Sequence, residues 1–142
     1  MIIPDVNLLV YAVHAESEQH SAARAWLDKL LTGDEPVGFS WTVLTGFIRV
    51  STNPRVVATP VRLDRATELV DQWLAQRVVS IVEAGPGHWP ILRALLREAG
   101  RGGNLTTDAH LAALCIERGA TLHSADGDFA RFRGLRYENP LR

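Results

Sequence analysis

The sequence predicts an α/β domain with a mostly parallel central sheet, and three observations support that. Short β-branched runs alternate with helical periodicities along the whole chain. The stretch Ala109 to Ile116 is apolar nearly all round, so it reads as a helix that must be buried. The chain has 142 residues, 46% of them hydrophobic and 22% charged, the size of one domain with one core. A single domain over residues 1–142 is therefore expected, with helices covering both faces of the sheet.

Met1 to Pro4 reads as a short buried strand ending at Asp5. Helical patterns follow over Asn7 to Ala15 and Glu18 to Leu31, the second with Ala22, Ala25, Trp26 and Leu30 on one stripe, before Gly33-Asp34-Glu35-Pro36 breaks it. Lys29 falls mid-helix and is expected in solvent. Val37 to Ser40 is the second strand. Thr42 to Val50 is a helix stopped by Asn53-Pro54, because the residue before proline is driven out of helical space. Pro60 suits the first turn of a longer helix reaching about Gln76, with Leu63, Ala66, Val70, Trp73 and Leu74 on its apolar face.

Val78 to Val82 is β-branched and reads as a strand; Gly85-Pro86-Gly87 then turns the chain into a helix striped by Leu92, Leu95, Leu96 and Ala99. After the loop from Gly100 to Asn104, the buried helix starts near Thr107 and is capped at Gly119. Ala120 to Ala125 is the last long strand, Asp126-Gly127-Asp128 a turn, and Phe129 to Phe132 a short helix.

Composition removes several kinds of chemistry. Fifteen cations against sixteen acids leave a net charge of -1, so no global excess pulls the molecule onto a polyanion. A lone cysteine, Cys115, rules out an intrachain disulfide framework and a CxxC zinc site, and fits a reducing cytoplasm. No apolar run is long enough to span a bilayer, and no signal-peptide pattern opens the chain. The five histidines show no HExxH or paired spacing, and there is no GxSxG. Lys29 is the only lysine beside fourteen arginines, which fits either phosphate contact or coding bias.

In parallel sheets ligands bind beyond the carboxyl ends of the strands. Asp5 and Asn7 follow the first strand, Asp126 and Asp128 follow the last long one, and Asp108 opens the buried helix between. If the first and last strands are neighbours, four carboxylates converge at one edge. Such a cluster raises its own pKa values or takes a cation, and an all-oxygen set with retained water is the pattern of Mg²⁺ or Mn²⁺. Each acid also has an ordinary explanation: Asp5 as an Asx turn, Asp108 as a first-turn carboxylate, Asp126 as a turn residue.

The blocks Ile3-Pro4-Asp5-Val6-Asn7, Thr106-Thr107-Asp108-Ala109-His110-Leu111-Ala112-Ala113 and Ser124-Ala125-Asp126-Gly127-Asp128-Phe129 resemble PIN-domain proteins in order and spacing. More closely, the chain resembles VapC toxins of VapBC toxin–antitoxin pairs over essentially its whole length, including Trp41 to Arg55. The resemblance implies a three-layer α/β/α sandwich and a Mg²⁺- or Mn²⁺-dependent endoribonuclease cutting structured RNA such as tRNA or rRNA. It places Asp5, Asp108 and Asp126 as metal-binding acids, Asp128 as an additional catalytic acid, and Ser124 as the hydroxyl orienting the cluster, with Asn7 beside it. It also implies a VapB-like antitoxin as partner, and a homodimer. Arg101, Arg131 and Arg133 are the candidate RNA contacts, the last two within a locally basic tail from 131 to 142.

The chain departs from the family at one position. A Glu common in the helix after the second strand is replaced by Gly46. That leaves open a weaker or one-ion site, compensation by another acid, or a degenerate module that binds antitoxin or RNA without cleaving.

Overall fold

The computed structural model describes all residues 1–142. Five strands, β1 (Ile2–Pro4), β2 (Val37–Phe39), β3 (Val79–Ile81), β4 (Thr121–His123) and β5 (Arg136–Glu138), form one sheet in the order β3-β2-β1-β4-β5. Every pairing is parallel, with Ile2 opposite both Val37 and Thr121. Six helices connect them: α1 (Val6–Val13), α2 (His20–Thr32), α3 (Trp41–Ser51), α4 (Leu63–Leu74), α5 (His88–Ala99) and α6 (Leu105–Arg118). A 3₁₀ turn spans Gly127–Arg131.

The first two crossovers step outward from β1 to β2 to β3, and the third returns past β1 to β4. Right-handed crossovers therefore put α1 to α4 on one face and the α5/α6 hairpin on the other. The expected α/β/α sandwich is what the chain forms. Its centre is Ile3, Phe39 and Leu122 on the strands, with Leu9 and Phe47 on one side and Leu111 to Cys115 on the other, all at or near full burial. The apolar α6 is buried as expected, and no helix is long and apolar enough to cross a membrane.

The departures from the expected elements have local causes. On α2 the buried residues are Ala23 and Leu27, while Ala22 and Ala25 are exposed. Trp26 fixes that rotation, its indole N–H donating to His123 Nδ1 at 3.0 Å. The helix expected from Pro60 begins at Leu63, because the Val61 amide donates to Ser51 O at 2.8 Å and holds the chain extended through Arg62. Ser40 is the N-cap of α3 rather than a strand residue, its hydroxyl accepting from Val43 N at 3.1 Å. The fifth strand was not expected: β5 is short and outwardly polar, and only pairing with β4 makes it a strand.

One contact sets the start of α5. The Glu117 carboxylate of α6 accepts from Gly85 N at 2.8 Å and Gly87 N at 2.9 Å, and a Cβ on Gly85 would lie 2.8 Å from its Oε2. Glu117→Ala strands both amides, so it is expected to cost about 1–3 kcal/mol, read as a lower urea midpoint with unchanged m value. Retained stability would remove Glu117 as the anchor of the α5/α6 hairpin.

Candidate functional site

β1 and β4 are neighbours, so the expected convergence occurs at their carboxyl ends. The Asp5 amide donates to His123 O at 2.9 Å, tying the two strand ends together. Asp5 is at once the N-cap of α1 and a site carboxylate: Oδ1 accepts from Val6 N at 2.7 Å and Oδ2 from the Ser124 hydroxyl at 2.7 Å. The ordinary explanation, a turn and cap at the start of α1, therefore holds for this residue.

Ser124 is fully buried and acts as the hub. Besides donating to Asp5, its oxygen accepts from Asp126 N at 3.0 Å and from the Asn7 side-chain amide at 3.3 Å. Asn7 Oδ1 in turn accepts from Ala125 N at 3.4 Å. Asp126 caps the 3₁₀ turn, accepting from Asp128 N at 2.9 Å, which leaves Asp128 exposed at the rim. Asp108 lies in the first turn of α6, half-buried, and no donor in the chain satisfies its carboxylate.

The electrostatics show that these acids share one field. Burial, then Asp5, Asp126 and Asp128, push the Asp108 carboxyl up from 3.8 to about 6, while Arg131 opposes the rise. Burial also raises Asp5 despite its two donors, and Asp126 adds to it. Arg131 reaches the rim from the other side, its NH2 3.8 Å from Asp128 Oδ1. No three of the Asp, Glu, His and Cys side chains close round a point as a cage. The donors at this edge are nevertheless all oxygen and mutually repelling. That fits a hard cation whose shell is completed largely by water, as that of Mg²⁺ usually is, rather than a dehydrated protein cage.

Other candidates fall away from this edge. The His110 Nδ1 lies 2.9 Å from His88 Nε2, so the ring turns toward α5. Burial pushes the Cys115 thiol up to about 12, with the Asp5 charge adding to it, which removes it as a nucleophile. Of the expected RNA contacts, Arg101 is exposed with no ion-pair partner, Arg131 adjoins the acids, and Arg133 is engaged by Glu98 at 3.3 Å. Arg136 of the basic tail is likewise occupied, by Gly119 O.

Gly46 marks a close approach, as a glycine inside a helix suggests, and the structure names the partner. It is buried in mid-α3, and a Cβ there would lie 2.9 Å from Val6 Cγ2, beside Asp5. In a helix a valine holds essentially one rotamer, so the space is closed. The signal was present in the sequence as a glycine inside an apolar helix, but its partner was not.

Comparison with known proteins agrees with this fold. The PIN domain family model matches residues 2–135. The chain is 44% identical over 142 residues to ribonuclease VapC33 of Mycobacterium tuberculosis, covering 100% of this chain and 99% of that protein. Ribonuclease VapC37 of the same organism is 41% identical over 140 residues, covering 99% and 97%. Among solved structures, VapBC2 from Rickettsia felis, bound to a promoter DNA fragment, superposes with a TM-score of 0.71 at 21% identity and covers 98% of each chain. The sarcin-ricin-loop-cleaving toxin VapC20 of M. tuberculosis superposes with a TM-score of 0.65 at 20% identity, covering 96% of this chain and 99% of that one. On the family model, the full-length identity and the shared fold, this chain belongs to the PIN-domain family and, within it, to the VapC group.

Proposed function

We propose that the chain is a VapC-type endoribonuclease that hydrolyses phosphodiester bonds in structured RNA, such as tRNA or rRNA, with Mg²⁺ or Mn²⁺ as cofactor. The observation that carries this reading is the gathering of Asp5, Asp108, Asp126 and Asp128 at one sheet edge, where burial first and then the other three acids lift Asp108 to about 6. Support comes from relatives at 41–44% identity that are named ribonucleases. The reading includes a cytoplasmic protein that works as a homodimer and is neutralised by a VapB-like antitoxin; the VapBC structures that share its fold support the antitoxin.

A bound divalent cation would supply charge neutralisation at the scissile phosphate and a more acidic water. Asp5, Asp108 and Asp126 are the residues that would hold it. Ser124 fixes the Asp5 carboxylate, leaving it no freedom to swing away from Asp126. Asp126 or Asp128 positions the attacking water and accepts its proton. The water oxygen bonds to phosphorus, the bond from phosphorus to the 3′ oxygen breaks, and that oxygen leaves as a hydroxyl, giving a 5′-phosphate. Arg131 offsets charge at the rim and offers a guanidinium to a phosphate oxygen.

The test is incubation of antitoxin-free protein with total cellular RNA in Mg²⁺ or Mn²⁺, with a chelator control, and mapping of the new 5′ ends. Discrete 5′-phosphate ends that need metal are expected. Ends carrying a 2′,3′-cyclic phosphate would overturn the hydrolytic step, and intact RNA would favour the degenerate module. A second measurement separates the cofactor from the activity: at 100 times its dissociation constant, Mn²⁺ is expected to add about 2.7 kcal/mol to folding stability. A melting curve indifferent to Mn²⁺ would remove the metal from the site.

A further inference from the structure

Eight of the fourteen arginines hold a carboxylate or a backbone carbonyl. Three of the remaining six, Arg93, Arg97 and Arg101, are spaced four residues apart, on α5 and in the loop beyond it. That spacing puts Arg93 and Arg97 on one helix face and carries the row on toward Arg101. All three are exposed. Trp89, 59% exposed, begins the same row four residues before Arg93. Ala94 beside it is small and exposed, and Glu98, the one acid of α5, is already held by Arg133.

The row leads to the acids. α5 and α6 pack against each other and are joined by only the short loop Gly100 to Asn104, so they run antiparallel. The far end of α5 therefore lies at the Asp108 end of α6. There Leu95, Glu98 and Ala99 line one recess with Arg131 and Phe132, and Arg131 adjoins Asp128. Trp89 lies about 15 Å back along the helix at 1.5 Å per residue. A twofold contact would set this cationic row against its own copy, which like charges oppose. An anionic strand with unpaired bases matches it in both charge and stacking.

We propose that the outer face of α5, from Trp89 through Arg93 and Arg97 to Arg101, is the track for a single-stranded RNA segment flanking the scissile bond. Its phosphates lie on the guanidiniums and one unpaired base stacks on Trp89. The proposal rests on the nuclease reading above and narrows its substrate class to RNA with an unpaired stretch beside the cut of about 15 Å, the length of α5 from Trp89 to its far end.

The test is binding of a fluorescein-labelled 12-nucleotide single-stranded RNA, and of an RNA duplex of equal length, to the full chain in chelator across a salt series. The parent is expected to prefer the single strand. Arg93→Ala and Arg97→Ala each flatten the slope of log K against log salt by about 0.7. Trp89→Ala weakens binding roughly 5- to 150-fold without changing that slope, and Trp89→Phe restores most of the loss. Arg62→Ala, at the N-cap of α4, leaves binding unchanged. The track is overturned if the parent does not bind the strand, if the α5 variants bind like the parent, or if light scattering shows Trp89-dependent self-association. Metal-dependent cleavage with unchanged KM in the α5 variants sinks the track and leaves the nuclease standing. Binding as expected with no cleavage by the parent does the reverse.

Discussion

Asp108→Asn is expected to lower RNA cleavage by at least about 100-fold and yet to raise the melting temperature of the metal-free protein near neutral pH. The loss follows from removing a proposed ligand, since even residues that only support a ligand cost 10- to 100-fold. The gain follows from the field already described. Asp108 is lifted to about 6 from 3.8, so the folded chain binds that proton more tightly than the unfolded chain. The group's contribution to stability is thus full below about pH 4 and is lost as pH rises through about 6. Asparagine carries no charge to repel Asp5, Asp126 and Asp128, and escapes that loss. Melting curves in chelator at pH 5 and near neutrality check this: the variant's advantage must grow with pH, and Mn²⁺ must stabilise the parent alone. A variant that melts lower than the parent at neutral pH would show that burial and the neighbouring acids do not disfavour the charged form of Asp108.

Restoring an acid at position 46 is expected to fail unless Val6 yields. Gly46→Glu gains roughly 0.5 kcal/mol of helix propensity, but it drives a Cβ to 2.9 Å from Val6 Cγ2. Overpacking of that kind costs about 1–3 kcal/mol, and the new carboxylate enters a field that is already acidic. The single variant should therefore show a lower urea midpoint and no faster cleavage. Val6→Ala removes both γ carbons, so the Val6→Ala, Gly46→Glu double should couple favourably by about 0.5–3 kcal/mol in a double-mutant cycle. If the single variant is as stable as the parent, Val6 does not close the space. A faster double variant would show that the fourth acid had been limiting.

The same two residues mark how far the sequence could be read. Gly46 was visible as an irregularity in a helix, but its meaning lay in Val6, forty residues away, and periodicity carries no information about such a pairing. β5 was missed for a similar reason: Arg136–Glu138 has little apolar pattern, and its strand identity comes from hydrogen bonds to β4. The rotation of α2 was misjudged because Ala22 and Ala25 are small enough to be exposed at little cost, and the Trp26 to His123 contact decided which face turned inward.

By itself the sequence determined the α/β class, the parallel order of elements and the placing of Asp5 and Asp126 at strand ends, while it ran the last strand through Ser124 where β4 stops at His123. These follow from local periodicity and from the rule that loops beyond parallel strands carry the chemistry. Only the tertiary structure decided that β1 lies beside β4, because strand order depends on burial summed over the whole sheet. From that adjacency comes the Ser124 bridge to Asp5, and from the packing of α6 against the sheet comes the lifted Asp108. Each is a through-space effect, falling off over a few ångströms and blind to separation along the chain.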